Sequence, residues 1–253
     1  MAPKRGESAK PLLVFDLDGV LVDVTASFRT AVRRTVGALG GGRVTQAEIQ
    51  ALKNAGGYNN DWDLSRELLR RRGLAVERAQ VIETFNRFYL GNGGGEGLIR
   101  RERWLLPRRE LAALRRRYRL AIFTGRPRAD AGFTLRHFGV AGAFETVVAL
   151  EDVTEPKPAP EGLERLRRAH APAPLAAYVG DTVDDARCAA TAGVPFIGIL
   201  APRLHHRSQL AALFGETGNV GVAPDVTAAI RMFLPSAGSR RGNLKATAAS
   251  RFR

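Results

Sequence analysis

The sequence predicts an α/β protein: a parallel sheet whose strands are joined by helices, interrupted once by an inserted block of helices. Three observations carry this. Short apolar runs alternate with amphipathic stretches through most of the 253 residues, the pattern of strands linked by helical crossovers. From Val24 to about Leu106 the alternation stops, with no convincing strand and several capped helices in succession. Acidic residues also recur where apolar runs end, the place where open parallel sheets build their sites.

The predicted strands are Leu12 to Phe15, Leu120 to Phe123, Thr146 to Leu150, Ala176 to Val179 and Phe196 to Leu200, each short enough to be buried on both faces. Helices fit between them at Arg108 to Arg117, Ala129 to Phe138, Glu161 to Ala169 and Val183 to Ala192, the last closed by Gly193. In the inserted block, Val24, Phe28, Ala31, Val32, Val36 and Leu39 share one face of a first helix that stops at Gly40 to Gly42. Thr45 and Glu48 form a capping-box pattern for a second, which ends at Gly56 and Gly57. Asn60 or Asp61 caps a third running to Arg72, and a fourth spans about Val76 to Leu90. A glycine run at Gly93 to Gly95 reads equally as hinge or as plain loop.

Composition narrows the class. A chain that is 45% hydrophobic has ample material for a core, which excludes disorder as the main state. The apolar stretch Val194 to Leu200 contains Pro195 and falls far short of the roughly 18 residues a membrane helix needs. The first residues, MAPKRGESAKP, lack the apolar centre of a signal peptide, so a cytoplasmic location is expected. Cys188 alone forms no internal disulfide, and no Cys/His cluster reads as a zinc site. The net charge of +14 invites a nucleic-acid reading, but half of it sits in residues 1–10 and 235–253. With 34 Arg against 5 Lys and no interleaved aromatics, compositional bias explains it better than a binding surface.

The segment LLVFDLDGVLVD runs a strand into Asp16, Asp18 and Gly19, and AAYVGDTVDD ends another strand in Asp181, Asp184 and Asp185. A turn or helix cap is the plain alternative for either cluster alone. Brought together, so many carboxylates repel unless a cation offsets them, and a hard divalent ion such as magnesium suits oxygen ligands. In LAIFTGR, Thr124 and the Gly125 amide stand at a strand end where they could hold phosphate oxygens; alone, Thr124 also reads as a cap on the next helix. In EPKPAP, prolines hold Lys157 stiffly, although a solvated loop lysine is the default. Arg126 and Arg128 flank the Thr124 segment and could steer anions, or lie on a solvated face. His205 and His206 read as surface residues, and Cys188 as a small buried side chain.

In order, these four segments resemble the haloacid dehalogenase superfamily, with its DxDG, its strand-end Thr or Ser, its Lys and its GDxxxD. The resemblance covers residues 11 to about 234. It implies a Rossmann-like core with strand order resembling 3-2-1-4-5, built from residues 11–23 and 107–234. Residues 24–106 would form the helical cap of subfamily I, in branch IA, between basic tails at 1–10 and 235–253. It further implies Asp16 as nucleophile, Asp18 as general acid and base, and Thr124 as phosphate ligand, with Gly125 and Arg126 beside it. Lys157 would orient Asp16 and offset charge on the phosphoryl group. Magnesium would be held by Asp16, the Asp18 carbonyl, Asp181 and Asp185.

The dehalogenases proper, and phosphonoacetaldehyde hydrolase with its cap lysine, lack an acid at the position of Asp18, which disfavours both, even though Lys53 is the one cap lysine. A phosphatase acting on a small phosphorylated metabolite through an aspartyl-phosphate is therefore expected, phosphoglycolate being the default substrate and histidinol phosphate or a sugar phosphate the alternatives. A β-phosphoglucomutase-like phosphotransferase is the runner-up, and a basic nucleic-acid binder comes behind both. Selectivity is assigned to the cap stretch KNAGGYNNDWD, with Lys53, Tyr58, Asn59 or Asn60 reaching the crevice; a plain turn with Trp62 in the cap core is the alternative. The sequence does not speak to oligomeric state.

Overall fold

The structure, a computed structural model, describes residues 10–91, 97–218 and 220–233. The glycine run at Gly93 to Gly95 and most of both tails lie outside the described residues. The chain opens with β1 (Leu12–Phe15) and reaches the short β2 (Val22–Asp23). It then runs through α1 (Phe28–Val36), α2 (Gln46–Ala55), α3 (Asp61–Arg70) and α4 (Arg78–Tyr89) before β3 (Arg103–Trp104). The remainder alternates: α5 (Arg108–Arg117), β4 (Arg119–Phe123), α6 (Arg128–His137), β5 (Thr146–Val148), α7 (Glu161–Ala169), β6 (Leu175–Gly180), α8 (Val183–Thr191), β7 (Phe196–Ile199), α9 (Arg207–Glu216), β8 (Val220–Ala223) and α10 (Val226–Phe233).

Six strands form one parallel sheet in the order β5-β4-β1-β6-β7-β8. This is a Rossmann-like order with one strand beyond the five expected. All four residues of β1 are fully buried because the strand is paired on both edges and covered on both faces. Leu13 and Phe15 face one apolar cluster, while Leu12 and Val14 face the other. At about 1.5–3 kcal/mol per fully buried large apolar side chain, such a strand is a rigid mount for whatever follows it. Cys188 is buried in the second cluster and its thiol donates to the Ala159 carbonyl, whereas His205 and His206 are exposed.

The inserted helices have an apolar cluster of their own, which includes Phe28, Val32, Ile49, Leu64, Phe85 and Tyr89. The chain leaves the sheet through β2 and returns through β3, and the two pair antiparallel, Val22 with Trp104 and Asp23 with Arg103. Two-residue strands leave no periodic signal, so this pair was not predicted. The cap also docks on the core: the Gly57 N–H donates to both Asp184 oxygens (3.1 and 2.9 Å). The Asn54 amide donates to the His206 carbonyl and the Gln209 side chain. Gly56 is tight against the same place, since a Cβ there would lie 2.5 Å from Arg187 Nη1. Among the described residues, no helix is long and apolar enough to cross a membrane.

Candidate active site

Asp16 follows the last residue of β1, its N–H held by the Val179 carbonyl of β6 at 2.8 Å. Lys157 reaches it from the loop before α7, and its Nζ bridges Asp16 Oδ1 (2.9 Å) and Asp185 Oδ1 (2.7 Å). The ammonium also lies 4.8 Å from the centre of the Phe123 ring and 5.4 Å from that of Tyr178. Asp185 stands in the first turn of α8, where it closes a capping box with Thr182. Its oxygens are heavily committed: Oδ1 accepts from Lys157 and Tyr178, and Oδ2 from the Thr182 hydroxyl and the Asp181 and Thr182 amides.

Burial raises the Asp16 carboxyl to about 7, against the pull of Lys157 and with further upward push from Asp185 and Asp18. Burial works to lower the Lys157 ammonium, but Asp16 and Asp185 outweigh it and hold the group above its usual value. Asp181 is pushed well above the carboxylate range by burial, then by Asp16 and Asp185, with Lys53 and Arg29 opposing. Carboxyl oxygens of Asp16, Asp181 and Asp185 lie within 4.8 Å of one another, a cluster able to hold a metal ion. The donor set fits a hard cation such as magnesium, for it is all oxygen and crowded, with Asp16 and Asp185 buried and Asp181 half-buried. Within it, the Asp181 carboxylate makes no hydrogen bond among the described residues and is the oxygen source left open. Gly19 makes room for it: this residue has φ +71°, and a Cβ there would fall 1.9 Å from Asp181 Oδ2.

Asp18 points to a different partner. The Arg126 Nε donates to Asp18 Oδ1 at 2.7 Å, and its Nη2 donates to the same oxygen. The remaining donors of this buried guanidinium go to Glu102, Tyr89 and Thr134. Glu102 in turn accepts from Ser27, Tyr89 and Thr134, and the guanidinium lies 4.8 Å from the centre of the Phe28 ring. Arg126 was expected beside the phosphate, but its donors are spent, and it acts instead as a tie between Asp18 and the cap elements α1 and α4. Sequence reading missed Glu102 because it sits in an arginine-rich run, RRERW, that looks like a solvated surface. Arg128, the other candidate for steering, pairs with Asp152 on the exterior.

A cavity bounded by Asp16, Asp18, Asn59, Trp62 and Asp130 lies between core and cap. Its volume is about 30 Å³, room for little beyond water, so a substrate enters it only as the cap residues give way. Asn59 and Asn60 line it as expected, Asn59 pressed close to Gly125 and Asn60 also capping α3 through the Trp62 N–H. Trp62 both lines the cavity and packs against the cap cluster, so the two readings of that stretch are not exclusive. Two expectations change. Tyr58 packs against the apolar cap cluster and is absent from this lining, because the ring gains more from burial there. Lys53 is not in this lining but stands directly behind it, 3.0 Å from Asp61, which is part of the lining. Thr124 is buried behind the lining and accepts from the Arg126 N–H at 3.2 Å, closing the turn that presents Gly125. A second cavity, of about 480 Å³, meets Asp181 and Gly19 from the other side and is bordered by Arg29, Gln50 and Arg203.

Both the sheet order and the carboxylates at its strand ends are those of a hydrolase class, and comparison with known proteins specifies it. A family model for haloacid dehalogenase-like hydrolases matches residues 11–193, and the chain belongs to that family. It is 36% identical over 215 residues to an imidazoleglycerol-phosphate dehydratase of Phytophthora nicotianae, covering 82% of this chain. It spans about half of that relative's length, 47%. It is 32% identical to a plasmid-encoded phosphoglycolate phosphatase of Cupriavidus necator, covering 72% of this chain and 78% of the relative. Among solved structures, a hydrolase from Pseudomonas syringae shares the fold with a TM-score of 0.66 at 20% identity, covering 87% of this chain and 96% of that one.

Proposed function

We propose that the chain is a magnesium-dependent phosphomonoesterase that works through a phosphorylated Asp16. The observation that carries this is Lys157, buried and bridging Asp16 and Asp185 within the carboxylate cluster. Lys157 fixes the Asp16 carboxylate and puts a positive charge where phosphoryl oxygens would gather. Asp16 attacks phosphorus and the ester oxygen departs, protonated by Asp18; Asp18 then takes a proton from the water that hydrolyses the acyl phosphate. Arg126 holds Asp18 in place for both proton transfers. Magnesium, when bound, would sit on Asp16, Asp181 and the Asp18 carbonyl and offset the phosphate charge. Asp185, expected among the ligands, shares the cluster but has its oxygens committed to Lys157, Tyr178 and Thr182. Gly125, in the cavity lining, would offer its amide to phosphate oxygens, with Thr124 buried behind it and holding that turn, and residues 24–106 would supply selectivity.

Phosphoglycolate, named for the Cupriavidus relative, is the reference substrate. The reading is tested with p-nitrophenyl phosphate: release should require Mg²⁺, and Asp16→Asn should lower kcat by about 10³-fold or more. Unchanged turnover in that variant would remove Asp16 as the nucleophile.

A further inference from the structure

An acid that the chemistry above does not use faces the catalytic cavity. Asp130, in the first turn of α6, lines the same cavity as Asp16 and Asp18, and it is nine-tenths buried. Among the described residues it accepts no hydrogen bond and forms no ion pair. An acid near a helix N-terminus is favourable in itself, but this side chain caps no backbone N–H. Its side chain is mostly covered while its oxygens keep some contact with the cavity, so the carboxylate stands open to a donor brought in by a ligand.

Once the cap residues Asn59, Asn60 and Trp62 move aside to admit substrate, a leaving group within reach of Asp18 lies on the Asp130 side. Its oxygen has to come within hydrogen-bond reach of Asp18 to be protonated, and Asp18 borders this cavity while it is absent from the lining of the 480 Å³ one. The charges waiting there are mostly negative. Among the described lining residues Arg126 is the one cation and is spent on Asp18 and Glu102, and Lys53, behind the lining, is paired with Asp61 within it. A carboxylate on the leaving group would meet Asp130 and no open cation. An ammonium would meet Asp130, the neighbouring Asp61 and the ring of Trp62.

We propose, resting on the hydrolase reading above, that Asp130 selects phosphomonoesters whose leaving group carries a protonated amine. The test compares kcat/KM, with Mg²⁺, for 2-aminoethyl and 3-aminopropyl phosphate, for neutral ethyl phosphate and for phosphoglycolate. The expected result is a preference of about tenfold or more for an amine over both others, collapsing to within about threefold in Asp130→Asn. Because each preference is a ratio within one protein, a general loss of folding or chemistry cancels. Calorimetry on Asp16→Asn supplies a second readout: an aminoalkyl phosphate should bind more tightly than phosphoglycolate, and Asp130→Asn added to it should erase the difference. A wild-type preference for phosphoglycolate, or an amine preference that persists in Asp130→Asn, overturns the proposal while p-nitrophenyl phosphate hydrolysis keeps the enzymatic reading intact. Loss of p-nitrophenyl phosphate hydrolysis in the wild type overturns both.

Discussion

Gly19 shows how much of the site depends on one absent methyl group. Its positive φ and the 1.9 Å separation between a built Cβ and Asp181 Oδ2 mean that Gly19→Ala must displace Asp181 or unwind the turn after Asp18. We expect that variant to fold with a loss of roughly 1–3 kcal/mol and to bind Mg²⁺ at least tenfold more weakly, as titration calorimetry would read; wild-type affinity would show that Asp181 is not held by that contact. Asp130 gives a stability prediction of defined sign. Burial first, then Glu102, Glu151 and Asp18, against Arg126, raises its carboxyl to about 6, well above the usual aspartate value of 3.8. The folded state therefore holds the proton more tightly than the unfolded one, and this residue's destabilising contribution, full above about pH 6, disappears as pH falls toward 3.8. Asp130→Asn should accordingly raise Tm at pH 8 by about 2–4 °C, for roughly 1 kcal/mol after solvent screening. At pH 4 the gain should vanish in a thermal melt, and an equal gain at both pH values would assign it to something other than the charge. The nucleophile and acidic motifs were legible because each is a short string whose residue types fit one chemistry. The Arg126 tie to Asp18 was not, since its partners lie 108 and 24 positions away and only the fold joins them.

At the scale of elements, the sheet was readable wherever a strand is an unbroken apolar run, and Leu12–Phe15 is the clearest case. Helix starts were equally readable where a cap advertises them: the Thr45 and Glu48 box is present, and so is the Asn60 cap. The sixth strand and the last two helices were missed for a physical reason. Val220–Ala223 is a short edge strand with Gly221 in its middle, and α9 fully buries only Leu210 and Phe214. The third predicted strand was drawn too long because Leu150–Asp152 turns over, its start closed by the Ala149 N–H on Asp152. Docking of the cap was beyond sequence reading too, although Asp184 sits inside the acidic motif. Its carboxylate takes the Gly57 amide, so one short stretch of α8 serves both the carboxylate cluster and cap closure. Asp184→Ala should loosen the loop between α2 and α3, raising amide exchange across residues 53–60 by about tenfold or more while leaving exchange in β1 unaltered. Equal protection in variant and wild type would mean that Asn54 and the packing of α2 suffice to hold the cap.

The whole molecule sets a field that its own site partly opposes. The net charge is +14, half of it in the two terminal stretches, while the catalytic cavity is walled by Asp16, Asp18, Asp61 and Asp130. A positive exterior would draw a phosphorylated substrate toward the protein at long range, while within the cavity Lys157, the carboxylates and any cation they hold would decide which part of it goes where. The long-range part is screened by salt and the buried part much less, because the Debye length shrinks to about 8 Å at physiological ionic strength. For a dianionic substrate, kcat/KM should therefore fall by about 2–5-fold between 20 and 200 mM NaCl, with kcat nearly constant. Removing residues 1–9 and 234–253 should flatten that slope. A zwitterionic aminoalkyl phosphate, with a smaller net charge, should show a shallower slope than phosphoglycolate in the same protein. If the basic exterior served a nucleic acid instead, the trimmed protein would retain salt-dependent affinity for duplex DNA and its substrate kinetics would be indifferent to the tails. Steady-state rates across the salt series, paired with a DNA-binding titration of the trimmed chain, separate the two.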